Sequence, residues 1–132
     1  MQHIYSLQEI QDLDISPQAP CIIFLKGDLG AGKTTLSRSI IQKLVGEEID
    51  VISPTYTYYN KYSDNIYHFD LYRLKDYDEF FAIGGEEILD NNTGIVLIEW
   101  PELIEKYYSA DIEIILEKTH REDERKITIN KF

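Results

Sequence analysis

Residues 21–45 read CIIFLKGDLGAGKTTLSRSIIQKLV, and this stretch decides the fold. Cys21 to Leu25 is an unbroken apolar run of strand length, the mark of a strand covered on both faces rather than half exposed to water. Gly27 to Gly32 follows as a glycine-rich turn. Helical spacing then takes over from Thr34 to Val45, with Leu36, Ile40, Leu44 and Val45 on one face. A strand, a glycine loop and a helix in that order open a doubly wound α/β fold.

Gly27-Asp28-Leu29-Gly30-Ala31-Gly32-Lys33-Thr34 fits the pattern G-x-x-x-x-G-K-[ST] at every position. Glycines at 27, 30 and 32 let the backbone amides of Asp28, Leu29, Gly30, Ala31 and Gly32 point inward and approach a polyphosphate, where a Cβ would obstruct them. Lys33 stands at the helix start, where it is expected to face solvent and reach the β- and γ-phosphates. The Thr34 hydroxyl is placed for a magnesium ion bridging the same phosphates, and Thr35 is the next donor, near the α-phosphate.

A phosphate-bound metal calls for an acid at a strand end, and two stand in that position. Ile95-Val96-Leu97-Ile98-Glu99 is four apolar residues followed by a carboxylate, and Asp70 closes Ile66-Tyr67-His68-Phe69-Asp70. Each is either a metal-facing or water-orienting acid or an ordinary exposed strand end. Because they lie on different strands, a site using both would hold the metal from two sides. Ser53-Pro54-Thr55 offers hydroxyls of the kind that sense a γ-phosphate, or it is a plain turn. Trp100, directly after Glu99, either covers the nucleotide or plugs the end of the sheet. His68 reads as structural, since no second His or Cys lies at metal spacing.

Around this centre, Ser6 to Leu13 has helical spacing and a Ser6/Glu9 capping box. Tyr56–Tyr62 and Asn65–Tyr72 are Tyr-rich strands of an antiparallel hairpin. Asp76–Phe81 reads as a capped helical turn, Gly84-Gly85 as a loop and Glu86–Leu89 as another helical piece. Asp111–Leu116 and Arg125–Ile129 read as strands joined by a charged turn at His120–Glu124. The expected fold is α/β, with at most three helices and about six strands. It is a P-loop NTPase-like three-layer arrangement with a mixed, mainly parallel central sheet and an antiparallel hairpin, in a single domain over residues 1–132.

A 132-residue chain that is 43% apolar has enough hydrophobic surface for one core without a disulfide framework or structural metal. Its single Cys21 lies in an apolar run and suits a reducing cytosol. No apolar run approaches the ~20 residues that span a bilayer, and Met1–Ile15 carries acids and no Lys or Arg, the wrong sign for a targeting peptide. Thirteen Lys and Arg against twenty-four Asp and Glu give a net charge of -11, which argues against gripping nucleic acid unaided. Nine of the acids fall between Asp76 and Glu105 with no basic residue among them, giving either a solvated face or a docking surface for a basic protein.

Four blocks in order, GDLGAGKTTLSR at 27–38, SPTYT at 53–57, YHFDLYRL at 67–74 and LIEWPE at 97–102, together resemble the TsaE family of bacterial tRNA threonylcarbamoyladenosine biosynthesis. The resemblance runs from Phe24 to Ile129. It implies a cytoplasmic ATPase that takes ATP and Mg2+ and acts with the TsaB and TsaD proteins in threonylcarbamoyl transfer to the adenosine beside the anticodon. Lys33 and Thr34 then match phosphate and magnesium residues, Asp70 and Glu99 the acidic metal-site and catalytic positions, Thr55 a switch threonine and Trp100 a tryptophan beside the nucleotide. The chain departs from the family at Ile10, where a threonine is common, and in a compact segment after Trp100.

Two other classes share such a loop. A nucleotide kinase would need an arginine-rich lid, and Arg38, Arg73, Arg121 and Arg125 are scattered. A GTP-dependent switch would need N-K-x-D, and Asn60-Lys61-Tyr62-Ser63 ends in serine.

Overall fold

The apolar run at 21–26 becomes the middle strand of a seven-stranded sheet. A computed structural model describes residues 2–46, 58–63 and 65–132, so the Ser53-Pro54-Thr55 loop, with Thr55, and the first residues of the expected hairpin lie outside the described residues. Strand β1 is Gln2–Ser6, β2 Cys21–Lys26, β3 Tyr59–Ser63, β4 Ile66–Asp70, β5 Ile95–Glu99, β6 Ile112–Lys118 and β7 Glu124–Lys131. Helix α1 is Lys33–Val45, α2 Tyr77–Ala82 and α3 Gly85–Asp90. The strand order is β1-β7-β6-β2-β5-β4-β3.

Three of the six pairings, β2 with β5, β2 with β6 and β4 with β5, are parallel, and three are antiparallel. The sheet is therefore evenly mixed, not mainly parallel. Short turns after β3 and β6 leave no length for a crossover, so each following strand has to return antiparallel. The expected hairpin is present as β3 and β4, with an irregular register between Lys61 and Ser63.

Both faces of the central strands are covered. Ile23, Leu25 and Leu97 pack with Leu36, Ile40 and Ile41 of α1. On the other face Phe24, Val96 and Ile98 pack with Phe80 of α2, Leu89 of α3 and Ile104. This two-sided burial is why β2 and β5 read as continuous apolar runs. Among the described residues no helix is long and apolar enough to cross a membrane.

Local signals were realised with three corrections. The Ser6/Glu9 box forms, Ser6 Oγ accepting from the Glu9 N–H at 3.1 Å and Glu9 Oε1 from the Ser6 N–H at 2.9 Å, but it caps a single 3-10 turn over Glu9–Asp12. Residues 2–6 ahead of it are a strand, raising the count from about six to seven. Gly84-Gly85 is not a loop: Gly84, at φ +86°, leads into α3, and a Cβ on Gly85 would lie 2.4 Å from the Phe80 ring. Helix α2 is capped as expected, the Asp76 carboxylate accepting from the Glu79 N–H at 3.0 Å. The acidic stretch from 76 to 105 is not all surface, because Glu99 is buried.

Candidate functional site

Register brings the two acids together. The parallel pairing of β4 with β5 sets Asp70 opposite Glu99, and that of β2 with β5 sets Leu25 opposite Glu99. Both carboxylates thus arrive at the carboxyl ends of adjacent strands, beside the turn by which the chain leaves β2. Open α/β sheets bind ligands at such a place. A cleft of about 470 Å³ lies there, walled by Gly30, Gly32, Lys33, Asp70, Glu99 and Trp100, with Leu29, Thr34 and Thr35 completing the loop side.

Gly30 and Gly32 have φ of +78° and +107°, conformations that side-chain-bearing residues rarely adopt. A Cβ at Gly27 would stand 2.5 Å from the Leu116 carbonyl oxygen, so the loop passes against β6 with no room for one. Two expected members do not reach the cleft wall. Ala31 turns its methyl inward at 1% exposure, and its N–H donates to the Asp28 carbonyl at 3.0 Å. Asp28 is exposed and contributes that carbonyl rather than its carboxylate.

Lys33 does not face solvent: it is 5% exposed. Its ammonium donates to the carbonyls of Gly27 and, at 3.0 Å, Asp28, and lies 4.1 Å from the Trp100 ring centroid. Burial holds its pKa below the usual lysine range, against the opposing fields of Glu99 and Asp70. Trp100 is fixed from the other side by Tyr72, 4.8 Å away between centroids, and by its own N–H to the Leu25 carbonyl at 3.3 Å. Its φ of +59° costs a non-glycine residue about 1–2 kcal/mol, so these contacts must hold it.

The Glu99 carboxylate divides its oxygens. Oε1 accepts from the Thr34 hydroxyl at 3.1 Å, while Oε2 meets His68 Nε2 at 2.5 Å, with Ser37 Oγ 3.4 Å away. Ser37 has one hydroxyl proton and spends it on the nearer Lys33 carbonyl at 2.8 Å. Asp70 accepts from the Tyr72 N–H at 3.1 Å, and burial, with Glu99 adding to it, pushes its carboxyl above the ordinary carboxylate range. Among the described residues no group of three or more His, Cys, Asp or Glu forms a metal cage. One hydroxyl and two carboxylates are a donor set that suits magnesium, which takes few protein ligands and leaves the rest to water and phosphate.

Three features escaped the sequence reading. Tyr58, Tyr72 and Arg73 also line the cleft. His68, read as structural, touches Glu99; its position two residues before Asp70, on the same strand face, was the available signal. Arg125 binds the glycine loop from 94 residues away, with no local signal at all. Ile10 is fully buried beneath the loop, its Cδ1 3.7 Å from where a Cβ on Gly32 would sit.

Fold and site together define an α/β protein with a glycine loop facing two strand-end acids. A family profile described as "Threonylcarbamoyl adenosine biosynthesis protein TsaE" matches residues 4–127. The chain is 45% identical to the tRNA threonylcarbamoyladenosine biosynthesis protein TsaE of Rickettsia felis over 73% of its own length and 57% of that protein. It is 38% identical to the TsaE proteins of Rickettsia prowazekii, over 83% of this chain and 77% of that one, and of Bacillus subtilis, over 81% and 67%. It thus spans little more than half the length of the Rickettsia felis relative. A crystal structure of Bacillus subtilis YdiB superposes with a TM-score of 0.68 at 28% identity, covering 99% of this chain and 86% of that one. The chain belongs to the TsaE family of tRNA threonylcarbamoyladenosine biosynthesis.

Proposed function

We propose that the chain is a magnesium-dependent ATPase of the P-loop type that supports threonylcarbamoyl transfer to the adenosine beside the tRNA anticodon through a TsaB–TsaD complex in the cytoplasm. The observation that carries this reading is the Thr34–Glu99 contact at the mouth of a loop shaped by three glycines of positive φ. Thr34, Glu99 and Asp70 would hold magnesium, which when bound neutralises charge on the β- and γ-phosphates. Lys33 would leave the loop carbonyls for those phosphates. Glu99, fixed through Oε2, presents Oε1 as the group that orients water or metal. Trp100 and Tyr72 supply aromatic faces at the cleft and shield it from bulk solvent.

The group-transfer chemistry belongs to the partners in this reading. A net charge of -11 opposes direct capture of tRNA, so nucleotide state would govern docking instead, with Thr55 as its sensor. The test measures ATP and GTP binding and turnover with magnesium for the unaltered chain and Lys33→Ala, with and without phosphate acceptors. Co-purification with TsaB and TsaD under ATP, ADP or neither accompanies it. We expect slow ATP turnover by the lone chain, lost in Lys33→Ala, and ATP-strengthened association that Thr55→Ala uncouples. Tight salt-sensitive tRNA binding by the chain alone, or no association in any nucleotide state, would overturn the accessory role.

A further inference from the structure

Arg125, the second residue of β7, is 7% exposed and points at the back of the glycine loop. Its Nε donates to the Ala31 carbonyl at 3.0 Å and its Nη2 to the Gly30 carbonyl at 3.1 Å. Nη1 donates to the carbonyls of Glu122 at 2.8 Å and Glu124 at 2.7 Å, which ties the guanidinium to its own turn. Four of its five N–H groups are thereby used on backbone oxygens. Among the described residues no carboxylate lies within ion-pair distance of it.

A trans peptide points its N–H opposite to its carbonyl. With the Ala31 carbonyl held on Arg125, the N–H of Gly32 is directed away from Arg125, and Gly32 lines the cleft. The Ala31 amide is already taken by Asp28, so the Gly32 amide is the one this contact aims. A buried cation without a carboxylate is costly unless something answers its charge. The oriented peptide units stand between it and the cleft, positive ends outward.

We propose that Arg125 is a positioning residue for anion binding: it sets the glycine loop from behind and leaves an uncompensated positive charge whose counter-charge is the polyphosphate on the far side of two peptide planes. The proposal rests on the nucleotide reading above. It predicts an effect on affinity for phosphates rather than on the chemical step, because Arg125 touches no reacting atom.

The test titrates ADP with magnesium, and separately inorganic triphosphate, into the full-length unaltered chain, Arg125→Lys and Arg125→Gln, each followed by thermal unfolding and by ATPase kinetics. Arg125→Gln should weaken both ligands about tenfold, raising KM by a similar factor while kcat at saturation stays within about threefold. Arg125→Lys should recover part of the loss, since it keeps the charge without the planar fork. If the glutamine variant does not fold, the lysine variant decides, with about threefold weaker binding expected. A folded variant that binds both ligands as tightly as the unaltered chain, or that loses kcat with KM unchanged, would overturn the proposal. An unaltered chain that binds neither ligand would overturn the nucleotide reading and this inference with it.

Discussion

His68 Nε2 lies 2.5 Å from Glu99 Oε2, and the two side chains are 0% and 2% exposed. The contact leaves Oε1 as the oxygen turned to Thr34, so the imidazole fixes which lone pairs the cleft receives. Nδ1 of the same ring is buried and has no hydrogen-bond partner among the described residues. His68→Ala should therefore lower ATP turnover by about 10- to 100-fold, with a smaller change in KM, and His68→Gln should restore part of it by donating from a similar position. Steady-state kinetics of the two variants, with circular dichroism to confirm folding, check this. Equal losses in both would mean that the histidine only fills space.

Glu99→Gln keeps volume and removes charge. Nucleotide binding should persist while hydrolysis drops at least about 100-fold, the scale seen when a group acting on the transition state is removed. Asp70→Asn should leave the fold intact, because burial already works against its charge, but should raise the magnesium concentration needed for half-maximal turnover. Magnesium titrations of both variants measure this, and normal hydrolysis in both would reduce the carboxylates to ordinary strand ends.

Cys21 supplies a pH dependence. Burial, with a smaller push from Asp111, raises its thiol from 9.0 to about 11. The folded thiol keeps its proton where the unfolded thiol has lost it, so its contribution to stability is full below pH 9 and drains away as pH rises towards 11. Between those values the thermal midpoint of the unaltered chain should fall more than that of Cys21→Ala. A thiol reagent at pH 8 should label the native protein slowly and the urea-unfolded chain at once.

Gly27→Ala should destabilise by roughly 1–3 kcal/mol, since φ of +151° is adverse and the new methyl would stand 2.5 Å from a backbone oxygen that cannot rotate away. Gly46→Ala is the control: its φ is +75° but nothing lies within 4 Å, so only the conformational cost of about 1 kcal/mol remains. Urea unfolding of both separates collision from conformation.

Gly27–Thr34, Glu99 and Asp70 were legible because each is announced by contiguous sequence: an apolar run, then the functional residue. β1 was not. It is an edge strand held by its ladder to β7, with Ile4 63% exposed, so it carries no inward apolar alternation to detect. The even mixture of pairings was hidden for a related reason, since buried apolar runs report coverage by helices and not the direction of a neighbour. Lys33 was expected in solvent because a lysine beside glycines reads as exposed. Trp100 closes over it, and that contact joins residues 67 positions apart. The roles of His68 and Arg125 depend likewise on partners distant in the chain.

The brace behind the loop also carries a consequence for how the protein comes into being. Gly30 and Arg125 are 95 residues apart. A ribosome adding about 5–20 residues per second needs roughly 5–20 s to cross that interval. During that time the nascent loop has emerged but lacks its fastening, so competence to take up nucleotide is a late event in synthesis.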